Sequence, residues 1–353
     1  MNAMRPVTDD TIRIRSAMDD AGMVARADAY ALAQEAGTPF HLSRWNLAVC
    51  AGCRQVPHLL IAERGGAVTG ILPLTEVHSP LFGRALASTG FAVSGGILAD
   101  DDASAQALAD ASVRLAESLS CPSVELRGGW LPPAWHRDDG SYLGFTRPIA
   151  ADDDAELLAI PRKQRAEVRR ALGNGMTVTS GRDAAERADH HAVYAASVRN
   201  LGTPVFPKAL FAAVLERFGD DADILTVRSD GRPVASVLSL YHRGTVMPYW
   251  GGGTAEARAL RANDLMYYAL MGHARARGCT TFDFGRSKVG TGAAAFKRNW
   301  GFAGVPLSYA VHGDEPRTIN PLDPKYQAKI ALWKRLPLPV ANLIGPWIAR
   351  GLG

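Results

Sequence analysis

The chain carries the same order of predicted elements twice, and this repeat limits its fold more than any other feature. In each half, three strand patterns, a helix pattern and a fourth strand pattern follow one another. Leu59 and Ile224 hold equivalent places 165 residues apart, and Val124 and Phe282 do so 158 residues apart. Two nearly equal spacings predict one β-β-β-α-β unit used twice. The first unit is predicted at residues 58–63, 67–77, 84–97, 104–119 and 123–126, and the second at 223–228, 233–242, 245–250, 264–277 and 281–284.

The length and composition are sufficient for two folded units. A chain of 353 residues exceeds the usual domain size of about 100–200 residues. With 47% hydrophobic and 21% charged residues, it has the composition of a globular protein. We place the first domain at 1–150, the second at 151–320 and a proline-rich amphipathic tail at 321–353. The predicted fold class is α/β with mixed sheets.

The charge balance argues against a surface built for nucleic acid. Lys and Arg number 39 and Asp and Glu 35, a formal net charge of +4. Any anion site is therefore expected to be local. The first twenty residues lack the apolar stretch of a signal peptide, and no run of about 18 apolar residues occurs. We expect a cytoplasmic protein.

Two candidate metal or redox motifs are interpreted as structural. Cys50 and Cys53 have the spacing of a Cys-x-x-Cys site, but no second pair accompanies them and they fall in a predicted helix. They are read as small buried residues. His190 and His191 lack a suitably spaced carboxylate, so no metal site is expected.

The second half carries a basic helix and a glycine-punctuated closing segment that resemble a known family. The segment 160–171 resembles the basic helix that opens the second domain of Fem-type proteins. Residues 282–287, 290–292 and 296–302 resemble the closing strand–loop–helix signature of the same family. The family comprises peptidoglycan-bridge aminoacyltransferases and related acyltransferases with two acetyltransferase-like (GNAT) domains. With residues 202–207, the chain is most similar to the branch associated with exosortase and exopolysaccharide gene clusters.

The resemblance implies acyl transfer but leaves the donor open. The coiled-coil insertion of the bridge-forming enzymes is absent, because no heptad run interrupts the second domain. The stretch 258–263 also lacks the two glycines with which ordinary acetyltransferases cradle a pyrophosphate. Both acyl-CoA and aminoacyl-tRNA are therefore kept as donors.

Asp283 and Lys297 are the candidate catalytic residues. Strand alternation places Asp283 on the face opposite Phe282 and Phe284, where it can meet Arg286 or a substrate amine. A structural salt bridge at the end of the strand is the alternative. Lys297 lies one turn into the following helix and can reach a phosphate or carboxylate. Exposure to solvent is the alternative for this lysine.

The candidate substrate-binding residues surround the same strand end. Positive charge and flexible backbone precede the helix at 293–299, where free N–H groups favour an anion. Aromatic residues end the strand before three glycines, with core packing as the alternative, and an asparagine is expected to cap the next helix. These residues are Tyr249, Trp250, Asn263, Tyr267, Arg286, Ser287 and Lys288.

Two further segments are candidate contact surfaces. Arg162, Lys163, Arg165 and Arg169 form a basic helix face, which is either solvated or a surface for tRNA or a lipid-linked glycan. The tail places tryptophans beside basic residues, which suits either a peripheral membrane contact or packing on the second domain. Its prolines exclude one uninterrupted helix.

We expect an acyl- or aminoacyltransferase that acts on an amine of a cell-envelope or exopolysaccharide precursor. The alternative is a non-catalytic binding or assembly factor for polysaccharide synthesis. A cleft that reaches Asp283 and Lys297 beside splayed strands at Tyr249 favours the enzyme. A packed salt bridge without a cleft favours the binding factor.

Overall fold

Thirteen strands of the described residues form one mixed sheet, in an order that is symmetric about its centre. The structure is a computed structural model that describes residues 11–314 and 324–352. The strands are β1 Arg13–Ser16, β2 Val56–Arg64, β3 Ala67–Ser79, β4 Gly83–Ser88, β5 Leu98–Ala99, β6 Ser123–Arg127, β7 His136–Pro148, β8 Thr177–Gly181, β9 Ala222–Ser229, β10 Arg232–His242, β11 Thr245–Gly253, β12 Thr281–Lys288 and β13 Gly304–Gly313. Their spatial order is β1-β2-β3-β4-β6-β13-β7-β12-β11-β10-β9-β8, with β5 paired beside β3.

The helices cover the sheet and connect its strands. They are α1 Ala21–Ala33, α2 Ser43–Cys53, α3 Asp102–Ser118, α4 Asp153–Ala159, α5 Arg162–Leu172, α6 Ala184–Leu201, α7 Lys208–Phe218, α8 Ala257–Leu260, α9 Ala262–Ala276, α10 Gly292–Asn299, α11 Pro324–Arg335 and α12 Leu338–Ala349. None of the helices in the described ranges is long and apolar enough to cross a membrane. The predicted break in the tail lies between α11 and α12, whereas Pro346 is inside α12. Residues 315–323, at the predicted junction of domain and tail, lie outside the described residues.

The two halves exchange their last strands. Strand β7 of the first half pairs with β12 of the second, whereas β13 of the second half pairs with β6 of the first. Strands β7 and β13 pair with each other along most of their length at the centre. The sheet therefore continues without a break across the predicted boundary at residue 150, which stays a prediction.

The repeat predicted from the sequence is present, with one strand shorter than expected. Strands β2, β3, β4, helix α3 and β6 correspond in order to β9, β10, β11, α9 and β12. The prediction of one strand over 84–97 is wrong, because β4 ends at Ser88 and a loop follows. In that loop Phe91 and Gly95 have positive φ, which extended pairing does not allow.

Pro73 lies within β3 at a point where one edge of the strand is unpaired among the described residues. It pairs with Leu59 of β2 on one side. On its other side β3 pairs with β5 only at Gly70 and Ile71 and with β4 only from Thr75 onward. Pro73 falls in the gap between these two ladders, so its missing N–H costs little there.

The packing of α2 on α7 joins the halves a second time. Trp45 of α2 is fully buried and stacks on Trp250 of β11 with ring centroids 5.8 Å apart. Cys50 and Cys53 lie in the same buried cluster, as expected for structural residues, and burial raises the pKa of the Cys50 thiol to about 12. At Gly52 the two helix backbones come into direct contact.

Gly52→Ala tests this contact between helices. An added Cβ would lie 2.4 Å from Leu210 Cα, a backbone atom that cannot rotate away. We expect the free energy of unfolding to fall by about 1–3 kcal/mol in chemical denaturation, more than the helix preference for alanine returns. The control Ala51→Val, on the exposed side of α2, should change it by about 0.5 kcal/mol at most. Equal effects of the two changes would contradict the close approach.

Candidate active site

Strands β11 and β12 separate soon after they start, which opens a gap in the sheet. They pair only at Thr245–Thr281 and Val246–Phe282. Beyond this point the edge of β11 that faces β12 has no backbone partner among the described residues. Tyr249 is the extra residue of a β-bulge at the same level, because Leu238 pairs with Trp250 and Ser239 with Pro248. Bulges of this kind often lie beside active sites, where they re-aim side chains.

A narrow crevice of about 10 Å³ lies in this gap. Tyr249 stands on one side of it and Asp283 on the other. The strand splay that the enzyme hypothesis requires beside Tyr249 is therefore present. The lining residues are Phe40, Val93, Met247, Pro248, Tyr249, Asp283 and Gly285.

Asp283 faces the crevice, as strand alternation predicts. Phe282 and Phe284 are buried in the core on the other face of β12. Gly285, at φ +64°, allows a tight turn in which its N–H donates to Asp283 Oδ1 at 2.8 Å. Burial raises the pKa of the Asp283 carboxyl. Within the part of the chain that the structure describes, no cation forms an ion pair with it, so the structural salt bridge is not formed.

Lys297 lies close to Asp283 but does not line the crevice. Its ammonium is 5.3 Å from the centre of the Phe145 ring and 5.6 Å from that of Phe284, and it donates to the Arg286 carbonyl oxygen at 2.9 Å. Burial lowers the pKa of Lys297 to about 8, and the charge of Asp283 opposes this shift. The exposed position considered for this lysine is not observed. A lysine with this pKa can lose or regain its proton near neutral pH.

Arg286 belongs to a polar cluster beside the crevice. Its Nη1 donates to the Tyr309 hydroxyl at 2.8 Å, and its guanidinium lies 4.6 Å from the centre of the Tyr142 ring. The Tyr309 hydroxyl in turn donates to the Val93 carbonyl oxygen at 2.9 Å. Arg286 therefore connects β12 with the first half through aromatic and hydroxyl groups, and it does not pair with Asp283.

A loop of the first half, residues 89–96, forms one wall of the crevice. We call it the wall loop. The Tyr249 hydroxyl donates to the Phe91 carbonyl oxygen at 2.6 Å. Arg127 Nη1 donates to the Ala92 carbonyl oxygen at 3.0 Å. Together with the contact from Tyr309, these bonds hold the wall loop by its carbonyl oxygens over the gap of the second half.

Of the seven predicted binding residues, only Tyr249 lines the crevice, and two of the others pack among core side chains. Trp250 is 5% exposed and packs against Trp45 and Phe211 in the core. Tyr267 packs on Phe284 and Trp300, and burial raises its pKa to about 12.

The prediction that Asn263 caps the next helix is wrong. Helix α9 starts at Ala262, so Asn263 is its second residue. Arg261 stands at the cap in the left-handed region, at φ 58°. The short helix α8 causes this early start, since it fills the stretch where a loop was expected.

The predicted anion site before α10 stays a prediction. Thr291 caps this helix by accepting from the Ala294 N–H, and its hydroxyl donates to the Lys288 carbonyl oxygen at 2.8 Å. Ser287 is buried, and the Lys288 ammonium lies 5.5 Å from the centre of the Tyr142 ring. The capping threonine thus already uses one of the N–H groups expected to bind an anion.

Sequence reasoning missed Tyr142, Tyr309 and the wall loop. The sequence does contain a sign of the loop. Glycines at 90, 95 and 96 follow the third strand of the first unit, and glycines at 251–253 end the third strand of the second unit. No signal marked the tyrosines, which meet Arg286 only after the strand exchange. In the described residues no group of three or more His, Cys, Asp or Glu has the arrangement of a metal site.

Residues 162–298 match a family model described as acetyltransferase (GNAT) domain. This part of the chain is similar to GNAT acyltransferase domains. It contains β11, β12 and the catalytic candidates Asp283 and Lys297. The enzyme class and the fold class predicted from the sequence are confirmed. A comparison with curated proteins found no significant match.

Solved structures share the fold over nearly the whole chain. The crystal structure of FemX is similar with a TM-score of 0.61 at 16% identity, over 86% of this chain and 98% of that one. The C-terminal domain of a putative lysylphosphatidylglycerol synthetase from Agrobacterium fabrum gives 0.56 at 15%, over 89% and 96%. A tandem GNAT protein from the clavulanic acid biosynthesis pathway gives 0.55 at 13%, over 87% and 100%. At these identities the likeness shows the fold alone.

Lys297→Met tests the burial of the ammonium. Because the charged form is disfavoured in the folded state, its removal should stabilise the protein at pH 7 by about 1–3 kcal/mol, less the hydrogen bond to the Arg286 carbonyl. The gain should be full below pH 8 and vanish near pH 10.5, where lysine is neutral in the folded and unfolded states alike. Chemical denaturation across this range measures it. Lys163→Met, on an exposed face of α5, is the control; a gain independent of pH would contradict the lowered pKa.

Proposed function

We propose that the chain transfers an acyl group from acyl-CoA to an amine, and that the reaction takes place in the gap between β11 and β12. One observation carries the proposal: a carboxyl with a raised pKa and no ion-pair partner among the described residues faces the gap, beside an unpaired strand edge. Acyl transfer to an amine needs a group that accepts a proton and a donor aligned with it. Asp283 and the edge of β11 offer these two elements.

The unpaired edge of β11 fits the extended arm of an acyl-CoA. Residues 247–253 offer N–H and C=O groups in strand geometry, to which the amides of such an arm can bind as an added strand does. The acyl-CoA supplies the acyl group as an activated thioester. The fit at the diphosphate end is different from that of ordinary acetyltransferases, because α8 replaces the glycine loop. Of the two arginines there, Arg258 is exposed, whereas Arg261 pairs with Glu167.

The residues of the chain would then move the protons. The Asp283 carboxylate takes the proton of the acceptor ammonium, so that the nitrogen lone pair can attack the acyl carbon. A carbon–nitrogen bond forms, a carbon–sulfur bond breaks and the thiolate receives a proton. Lys297, with a pKa of about 8 and close to Asp283, is the group from which that proton comes. The nitrogen is positively charged after the attack and loses its second proton to the group that protonated the thiolate, while Asp283 releases the first proton to solvent.

The wall loop has to yield for the substrates to enter. The crevice of about 10 Å³ is far smaller than the pockets of about 300–1,000 Å³ that hold small molecules. The loop is held by hydrogen bonds from Tyr249, Tyr309 and Arg127 to its carbonyl oxygens, and Phe91 and Ala92 are buried in the core. Opening would break these hydrogen bonds, at a net cost of about 1 kcal/mol each, and would also expose part of this apolar surface.

The acceptor is proposed to be an amine on a cell-envelope or exopolysaccharide precursor. The signature shared with Fem-type proteins, in particular with their exosortase-associated branch, supports this class. Arg286 and Lys288 lie next to the gap and favour an acceptor with an anionic part. Aminoacyl-tRNA is the second candidate donor, since Arg162, Lys163 and Arg169 are exposed along α5. Arg165 of that face is only partly exposed.

The release of free CoA from acyl-CoAs of increasing chain length, with a panel of amino sugars and amino acids, tests the proposal. Asp283→Asn and Lys297→Met should lower kcat/KM by about 100-fold or more, the usual contribution of a general base or acid. The exposed Asp230→Asn and Lys208→Met are matched controls that should leave it unchanged. Charged tRNA in place of acyl-CoA tests the second donor. Ligand binding without turnover in the wild type would instead favour the binding factor, and full activity of Asp283→Asn would remove the proposed base.

A further inference from the structure

Helix α12 is turned so that its large apolar side chains face solvent. Val340, Leu343, Ile344 and Trp347 are exposed by between 38% and 79%. Their spacing places them on one stripe of the helix. A surface helix of a folded domain ordinarily buries such a stripe, so this arrangement requires an explanation.

The small residues of α12 hold it against the protein in this orientation. Ala341, Gly345 and Ala349 are buried on the opposite face. A Cβ on Gly345 would lie 3.1 Å from the Val205 nitrogen, so this face has room for no larger residue. Past the end of the helix, Gln55 Nε2 donates to the Arg350 carbonyl oxygen at 2.7 Å. The exposed stripe therefore belongs to a docked helix.

The stripe continues onto neighbouring elements. Leu332 of α11 and Leu201 at the end of α6 are also exposed. Helices α6 and α11 are in contact. Arg199 of α6 donates to the Lys334 carbonyl oxygen of α11, and a Cβ on Gly202, just past α6, would lie 2.5 Å from Ile330 Cγ2. Five of the fourteen exposed large hydrophobic residues in the described ranges lie between residues 332 and 347. We call this surface the tail patch: Leu201, Leu332, Val340, Leu343, Ile344 and Trp347.

The segment that carries most of the tail patch has charged residues of one sign. Between residues 324 and 352 the sequence has Lys and Arg but no Asp or Glu. The basic residues are Lys325, Lys329, Lys334, Arg335 and Arg350. A second copy of the chain would oppose this surface with the same positive charge in a two-fold dimer, which argues against self-association. An anionic surface complements it.

We propose that the tail patch docks this protein on the surface of an anionic lipid bilayer. The apolar stripe of α12 enters the boundary between headgroups and acyl chains, and Lys334 and Arg335 lie over the headgroups. Tryptophan is favoured at this depth, because its ring is apolar and its N–H polar. With 12 residues, α12 lies in the interface and does not cross the bilayer. The proposal is independent of the acyl-transfer proposal.

Sedimentation of the full chain with vesicles tests it. One set of vesicles contains phosphatidylcholine alone, and the other contains phosphatidylcholine and phosphatidylglycerol in equal parts. The wild type should bind the anionic vesicles and lose this binding at high salt. Leu343→Asp and Trp347→Asp should each weaken the partition by about ten-fold or more. Leu158→Asp is the matched control, because Leu158 is 63% exposed on α4, far along the chain from the patch.

A second pair of variants separates charge from apolar contact. Lys334→Glu with Arg335→Glu should remove the preference for phosphatidylglycerol, whereas Lys163→Glu with Arg169→Glu makes the same charge change on α5 and should keep it. Circular dichroism checks that each variant is folded. Wild-type protein that stays in the supernatant, or patch variants that bind like the wild type, would overturn the proposal. So would a monomer–dimer shift in the patch variants, measured by analytical ultracentrifugation, with vesicle binding unchanged.

Discussion

The antiparallel pairing of β7 with β13 is the interaction on which the rest of the structure depends. Each of these strands lies between two strands of the other half: β7 between β13 and β12, and β13 between β7 and β6. Without the exchange, β6 and β12 would each present an open edge in the middle of the sheet, and open edges pair with whatever strand is available. The same exchange brings Tyr309 of β13 next to Arg286 of β12. The architecture and the site therefore share one cause.

The site owes its chemistry to burial rather than to ion pairing. Asp283 and Lys297 lie near each other with opposite formal charge, yet the shift of each pKa disfavours the charged form. An ion pair in direct contact would favour both charged forms. The aromatic rings of Phe145 and Phe284 keep water from Lys297, and the wall loop keeps it from Asp283. The same dry surroundings therefore move the titration of both groups toward neutrality, as the proposed proton transfers require.

The sequence predicts what local pattern determines and misses what distant contacts determine. The repeated unit follows from alternation and from turns such as Gly65–Gly66, and Asp283 follows from its place between two phenylalanines. Strand β7 contains the run 137–141, which reads as a polar turn. Arg137 and Asp138 nevertheless pair with β13, and residues 139–141 form an irregularity in the register. The wall loop carries apolar residues that resemble a strand, but glycine conformations and hydrogen bonds from the second half fold it over the gap. Pairing across more than 150 residues leaves no local signature.

The two units of the repeat differ at one place, and that difference divides the work between them. In the second unit the parallel strands separate after Val246, whereas in the first β4 stays paired with β6 through Ser88, its last residue. The second unit thus has a gap between its parallel strands. The first unit has no such gap, and its wall loop covers the gap of the second unit. Substitutions in either unit can then change the substrate preference of proteins with this architecture. Substitutions in the wall loop of the first unit can change which substrate fits, while the proposed reacting residues of the second unit stay the same.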